Sequence, residues 1–258
     1  MSHPGRPHVS PADRPAEAPA LDLREKGGPK DGQPQFCDRR LFVQLTAFSG
    51  SRDTHTLLGG VNAKAGVDYV LYEDAADPSG VAVLAMTQDP ALLFTRTRRD
   101  LQSGPFAGLS ARPELSMLGR TYALGYEPRL EDWLLHRPRR VALDPAWPWA
   151  VWYPLRRSGA FARLPRPEQQ QILKEHGIIG RQFGDAGVAQ DVRLSCHGLD
   201  RADNDFVIGL IGKELAPLSQ LVEAMRATVQ TSQYLESLGP FFVGRAVWQS
   251  PYQGPAAA

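Results

Sequence analysis

The sequence predicts an α+β fold: two ferredoxin-like β-α-β-β-α-β repeats that form an α/β-barrel-like subunit of the dimeric α+β barrel kind. Three observations predict it. The apolar pattern gives the same order of strands and helices twice along the chain. The pieces VAVLAMTQDPALLF and FVIGLIGKELAPLSQLV take the same slot in the two halves, an internal duplication that outweighs any single element. A polar, Pro- and Arg-rich connector, EPRLEDWLLHRPRR, divides a chain whose 258 residues suit two small fused domains. Two such units are expected to pack sheet against sheet, with a cavity between sheet and helices.

Residues 1–38 are rich in Pro, Gly and charge, without apolar periodicity, and are expected to form a disordered leader. Residues 39–140 make the first half. Arg39 to Phe48 alternates and predicts a strand. A weak helix follows over Thr54 to Ala65, then strands over Val67 to Glu73 and Val81 to Thr87, the latter apolar on both faces. Asp89 is placed to cap a helix running to about Ser103, with Pro90 at its first position. Tyr122 to Glu127 closes the set. The second half spans 141–250 and opens with a strand over Trp149 to Arg157. Pro167 to His176 predicts a short helix stopped by Gly177. Strands over Val188 to Cys196 and Asp205 to Gly212 come next. Pro217 to Leu238 predicts one long amphipathic helix ended by Gly239, with Leu218, Leu221, Val222, Met225 and Val229 on its apolar stripe. Phe241 to Trp248 is the last strand, and 251–258 a tail.

Composition narrows the function. The formal charge is +1 with acids and bases interspersed, which argues against nucleic acid and anionic membrane surfaces as partners. No run approaches the ~18 apolar residues of a membrane span. The start, MSHPGRPHVSPADRP, lacks the apolar region of a secretory signal, so a cytoplasmic location is the default expectation. Cys37 and Cys196, the two cysteines, cannot make a disulfide framework or a four-ligand zinc site.

Of six histidines, His3 and His8 lie in the leader, His55 at a helix start, His136 in the connector and His197 in a turn. His176 differs: it is i+4 from Ile172 and i+3 from Leu173, so it points with its helix's apolar face. Two readings stay open. One is a core histidine satisfied by a carbonyl or placed to complement the helix dipole. The other is a metal ligand, since a neutral imidazole on a buried face suits a haem iron. No HExxH, second His or carboxylate at zinc spacing accompanies it, and an isolated ligand fits haem better than a bare metal. Strand alternation puts Tyr153, Leu155 and Arg157 on one face. It also separates Gln190, Val192 and Leu194 from Asp191, Arg193 and Ser195. The polar set is expected to be wet, which leaves Gln190 on the inside with the apolar set.

Six pieces, in this order, resemble the chlorite dismutase superfamily and within it the coproheme decarboxylases of bacterial haem synthesis. They are WYPLRR at 152–157, EHGIIGR at 175–181, VAQ at 188–190, GLD at 198–200, MR at 225–226 and GPFFVGR at 239–245. Together they cover about a hundred residues. The resemblance implies haem, or iron-coproporphyrin III, as the cofactor, with His176 as the axial iron ligand. It implies Tyr153 as the catalytic tyrosine, oxidised beside a propionate. Arg157 and Arg226 fall at basic positions near the porphyrin carboxylates, with Arg139 or Arg140 as a third donor, and Thr231 falls near a hydroxyl position. Leu155 stands where methionine is usual, and Gln190 at a distal position above the iron, where chlorite-degrading members carry arginine. The implied activity is therefore peroxide-driven oxidative decarboxylation of coproheme to protohaem. The alternatives are chlorite breakdown or haem peroxidase activity, a non-catalytic haem-binding protein, and an oligomerisation module without porphyrin. The family also implies a homo-oligomer, a pentamer in the decarboxylases. The run SGAFARLP departs from the aromatic pair usual after the basic strand end.

Overall fold

The computed structural model describes residues 21–61 and 66–255, so the first 20 residues of the expected leader and the end of the helix expected over Thr54 to Ala65 lie outside it. The strands are β1 (Glu25–Lys30), β2 (Gln33–Cys37), β3 (Phe42–Ser49), β4 (Asp68–Asp74), β5 (Val81–Thr87), β6 (Ser110–Ala111) and β7 (Met117–Thr121) in the first half. The second half adds β8 (Trp149–Arg157), β9 (Ala189–Ser195), β10 (Phe206–Gly212), β11 (Leu235–Leu238) and β12 (Phe242–Gln249). The α-helices are α1 (Arg98–Leu101), α2 (Arg137–Ala142), α3 (Gly159–Arg163), α4 (Arg166–Asp185), α5 (Leu215–Arg226) and α6 (Val229–Tyr234). Wide π turns at Leu93–Thr97 and Asp132–His136 lead into α1 and α2, and a 3-10 turn covers Thr54–Gly60.

Each half has the ferredoxin-like strand order: β7-β3-β5-β4 in the first and β9-β10-β8-β12 in the second. The open edges of the two sheets meet twice, β7 on β9 and β4 on β12, so eight strands close into an antiparallel ring. Closure removes the unpaired edges that an isolated sheet of this kind exposes. The ring has a filled interior, where Val43, Leu45, Tyr72, Leu84, Trp152, Val192, Leu194, Ile211 and Phe242 form one cluster. Gly209 has no side chain because the Trp152 ring lies against it, 2.5 Å from where a Cβ would stand. A second and a third cluster lie outside the ring, one under the turns and helices of each half. This explains β5, whose residues are all buried: one face lines the interior and the other the outer layer.

Five elements differ from the sequence expectations, the first being the polar connector, which is helical from Asp132 to Ala142 with Leu134 and Leu135 buried. Residues 25–37 form the β1–β2 hairpin, not disorder. Polar contacts that leave no apolar periodicity pin it down: Glu25 pairs with Arg40 at 2.9 Å and Arg120 at 3.0 Å, and the Gln35 amide donates to the Gly28, Glu127 and Pro128 carbonyls. Tyr122 to Glu127 is a turn wrapped on the Glu127 carboxylate, which accepts the Leu124, Gly125 and Tyr126 N–H groups, while the strand lies earlier, at β7. The helix expected to stop at Gly177 runs through it to Asp185. Ile179 and Phe183 carry on the face that Ile172 begins, and the turn comes at Gly187, with φ 66°. The helix expected over Pro217 to Leu238 breaks after α5. Thr228 caps α6, and Leu235–Leu238 becomes a strand on β8.

Candidate functional site

The outer face of β8, β9 and β10 under α4 and α5 collects most of the singled-out side chains. β8 sends Val151, Tyr153 and Leu155 into the outer cluster, where they meet Ile179 and Phe183 of α4 and Leu218, Leu221, Val222 and Met225 of α5. Tyr153 is 6% exposed, and its ring stacks on Phe241 at 4.7 Å with an interplanar angle of 26°. Burial, helped by the Asp191 carboxylate and opposed by Arg226, pushes the Tyr153 hydroxyl above the ordinary phenol range, so it stays protonated. Arg157 follows on the same face. Its guanidinium sits over the rings of Phe206 at 4.5 Å and Phe161 at 5.0 Å, and its Nε is buried without a hydrogen-bond partner. Burial lowers its pKa, with Tyr122 and Asp205 opposing. A cleft of about 350 Å³, lined by Arg157, Phe161, Gln169, His197, Asp205 and Phe206, opens beside it.

β9 faces the opposite way from the sequence expectation. Ile208 pairs with Tyr153 on one side and Arg193 on the other, and Leu210 pairs with Val151 and Asp191. Asp191 and Arg193 therefore share the face of Tyr153. Gln190 is in register with Ile211 and Ala150, which line the ring interior, and its Oε1 accepts from Arg137 Nη2 at 2.8 Å. The expectation took the apolar residues as the porphyrin side. In a closed ring those residues fill the interior, and the helix-covered outer face takes the charges, which are half-buried and paired. Asp191 forms an ion pair with Arg193 and accepts from Arg137 Nη2 at 2.9 Å. Burial alone would raise the Asp191 carboxyl, but Arg193 and Arg137 hold it down at about 2. Burial likewise opposes the Arg193 charge, and Asp191 outweighs it, leaving its pKa raised. Both guanidiniums lie over the Trp133 ring, Arg137 at 4.8 Å and Arg193 at 5.1 Å.

The first half thus contributes Trp133 and Arg137, and also Tyr122. Just past the β7–β9 pairing, Tyr122 packs on Phe206 at 5.5 Å, and the charges of Arg193 and Arg157 act on its buried hydroxyl. Arg139 and Arg140, considered as porphyrin donors from the sequence, are taken by Asp68 at 2.7 Å and Asp132 at 2.6 Å.

His176 sits mid-helix on α4, not in a last turn. Its Nδ1 is 3.3 Å from Thr228 Oγ1. Burial, then the Arg193 and Arg157 charges, lower its pKa to about 4 against the opposing Asp191 and Glu175, so the ring is neutral near pH 7. Arg226, at the end of α5, is exposed but close enough to act on Tyr153, and Thr231 neighbours Thr228 in α6. Among the described residues no three His, Cys, Asp or Glu side chains are grouped to hold a bare metal ion, and no helix is long and apolar enough to cross a membrane.

The depressed His176 pKa makes stability depend on pH with a definite sign. The unfolded chain, near the ordinary 6.5, binds a proton that the folded chain refuses until about 4. Stability without a bound group is therefore greatest above 6.5 and falls as pH drops from 6.5 to 4. With discounting for partial exposure, the loss is about 2 kcal/mol. Urea unfolding at pH 7 and pH 4.5 should show this loss, and His176→Gln should remove it. An equal loss in the variant would place the titration elsewhere.

A family model described as chlorite dismutase matches residues 81–247, which include β5 and the whole outer face just described. A heme-binding protein from Thermus thermophilus has a similar structure, with a TM-score of 0.61 at 18% identity, covering 81% of this chain and 91% of that one. A mutant chlorite dismutase from Candidatus Nitrospira defluvii aligns with a TM-score of 0.63 at 13% identity, over 82% of this chain and 92% of that one. At these identities the structures establish the α+β fold, and the sequence model establishes kinship: the chain belongs to the chlorite dismutase family.

Proposed function

We propose that the chain binds an iron porphyrin against this outer face with His176 as the residue that would hold the iron, and that it uses peroxide to convert propionates of iron-coproporphyrin III to vinyl groups, giving protohaem. The observation that carries the reading is the pairing of a neutral His176 with a wall that holds a protonated phenol and partly buried guanidiniums. The residues fit such a group. The imidazole is engaged at Nδ1, which leaves Nε2 for a metal, and the unpartnered Arg157 Nε answers a carboxylate. Arg226 would serve a second carboxylate. The heme-binding Thermus thermophilus relative supports haem as the cofactor class.

When bound, the iron supplies the redox chemistry that peroxide cleavage needs. Tyr153 gives up its phenolic hydrogen as a proton and an electron, then takes a hydrogen from the propionate β-carbon and is restored. Loss of a further electron and of carbon dioxide from the same side chain would complete the vinyl group. Each propionate consumes one hydrogen peroxide and one proton and releases one carbon dioxide and two waters. Arg157 and Arg226 hold the carboxylates, and the apolar cluster around Tyr153 keeps bulk water from the radical.

Arg193 favours a second reading, chlorite breakdown, because it puts an arginine on the wall from which the resemblance had seemed to exclude one. Its tie to Asp191 keeps it from closing over a bound anion, and decarboxylation is the preferred reading. The test is to titrate the purified protein with ferric iron-coproporphyrin III, add peroxide stepwise, and follow mass and absorbance. Two successive losses of the elements of formic acid, ending at protohaem, are expected. Binding without mass loss would sink the decarboxylase reading, and rapid oxygen release from chlorite would put the second in its place. His176→Ala should shift the Soret band while the carboxylate contacts retain the porphyrin. Unchanged ferric and ferrous spectra would return His176 to the core.

A further inference from the structure

We propose that Thr228 is a positioning residue that fixes His176 in one tautomer, with the proton on Nδ1 and the lone pair on Nε2. The use made of that lone pair rests on the porphyrin reading above; the tautomer itself belongs to the protein without any bound group.

The argument is a proton count. Thr228 caps α6, is 1% exposed, and has one hydroxyl proton. Its Oγ1 lies 2.8 Å from the Met225 carbonyl oxygen, which can only accept, so the proton goes there. The rival Thr231 hydroxyl is farther, at 3.3 Å. The lone pairs of Oγ1 are left to accept, from the Thr231 N–H at 3.4 Å and from His176 Nδ1 at 3.3 Å. For that contact to be a hydrogen bond, Nδ1 must carry the hydrogen. The neighbouring residue holds the pair in place: Glu175 Oε2 accepts the Val229 N–H at 3.0 Å, fastening this turn of α4 to the start of α6. A hydroxyl whose own proton is committed cannot draw the proton from Nδ1 as a carboxylate would. A ligated His176 therefore stays a plain neutral imidazole, a weaker donor to iron than one facing Asp or Glu.

The tautomer is read first in the protein without porphyrin, from the 15N resonances of the His176 ring. A protonated Nδ1 and an unprotonated Nε2 are expected, kept in Thr228→Ser and lost to a mixture in Thr228→Val. The second readout uses the haem-loaded protein. Thr228→Asp keeps a capping side chain and puts a carboxylate at Nδ1. It should raise the ferrous iron–histidine stretching frequency and lower the midpoint potential, while Thr228→Ser leaves both near wild type. A proton on Nε2 in the wild type, or a tautomer ratio unmoved by Thr228→Val, overturns the assignment. If Thr228→Val does not fold, the wild-type and Thr228→Ser spectra still decide. A correct tautomer in a protein that binds no haem would sink the porphyrin reading and leave the assignment of Thr228 standing.

Discussion

Tyr153→Phe is expected to leave iron-coproporphyrin III bound, within about tenfold of wild-type affinity, and to stop its conversion by peroxide. The bound on affinity is the worth of one hydrogen bond. The ring stays: it is stacked on Phe241 and enclosed by Leu155, Leu210 and the α5 side chains, none of which depends on the hydroxyl. Only the transferable hydrogen is removed. Burial keeps that hydrogen on the oxygen at neutral pH, so the phenol can act as a hydrogen-atom relay and not as a base. Arg226, whose charge acts on the same hydroxyl, is the group proposed to hold the carboxylate beside it. The check is the porphyrin mass after stepwise peroxide. Native-rate loss of carboxyls in the variant would remove Tyr153 from the chemistry.

The strands were legible in the sequence because their environment writes directly into the pattern. β5 is covered on both faces and reads as an unbroken apolar run, and β8 was bounded correctly from its own residues. The duplication gave the ring, since two identical strand orders leave the same two edges to be paired. What failed was local punctuation. Gly177 looked like a stop, yet tertiary burial of Ile179 and Phe183 carries α4 past it. The break at Thr228 was invisible because the apolar stripe runs on through Val229. Site residues from the motifs, His176, Tyr153 and Arg157, gather on one side of the ring. The sides of β9 were misassigned because alternation tells two faces apart without saying which is which. A closed ring reverses the usual inference: its apolar face is the interior, and the mixed face is under the helices. Thr228 meets His176 from 52 residues away and Arg137 meets Asp191 from 54, separations over which a single sequence has no period to show. Trp133 and Tyr122 come from the other half of the chain and were hidden for the same reason.

Asp191→Ala should cost about 2 kcal/mol of stability, less than the loss of one partner from a fully buried ion pair, because Asp191 and both guanidiniums are partly exposed. The carboxylate holds two guanidiniums, Arg193 beside it and Arg137, which also donates to the Asp191 carbonyl at 2.7 Å. Removing it leaves two cations without their shared carboxylate in a half-buried layer against Trp133, so their desolvation is no longer offset. The sign with pH follows from the depressed carboxyl. Its contribution is complete above the ordinary value of 3.8 and is lost as pH falls through about 2. The gap between wild type and variant should therefore hold from pH 7 to pH 4 and narrow only below that, as read by urea unfolding. Replacing Arg137 and Arg193 by Met in the same chain as Asp191→Leu should recover most of the loss, because an apolar substitute for a whole buried network avoids its desolvation cost. A loss under about 1 kcal/mol for Asp191→Ala would mean that the guanidiniums are already solvated. Arg193 would then be free to meet an anion at the iron, and chlorite breakdown would overtake decarboxylation as the better account of this wall.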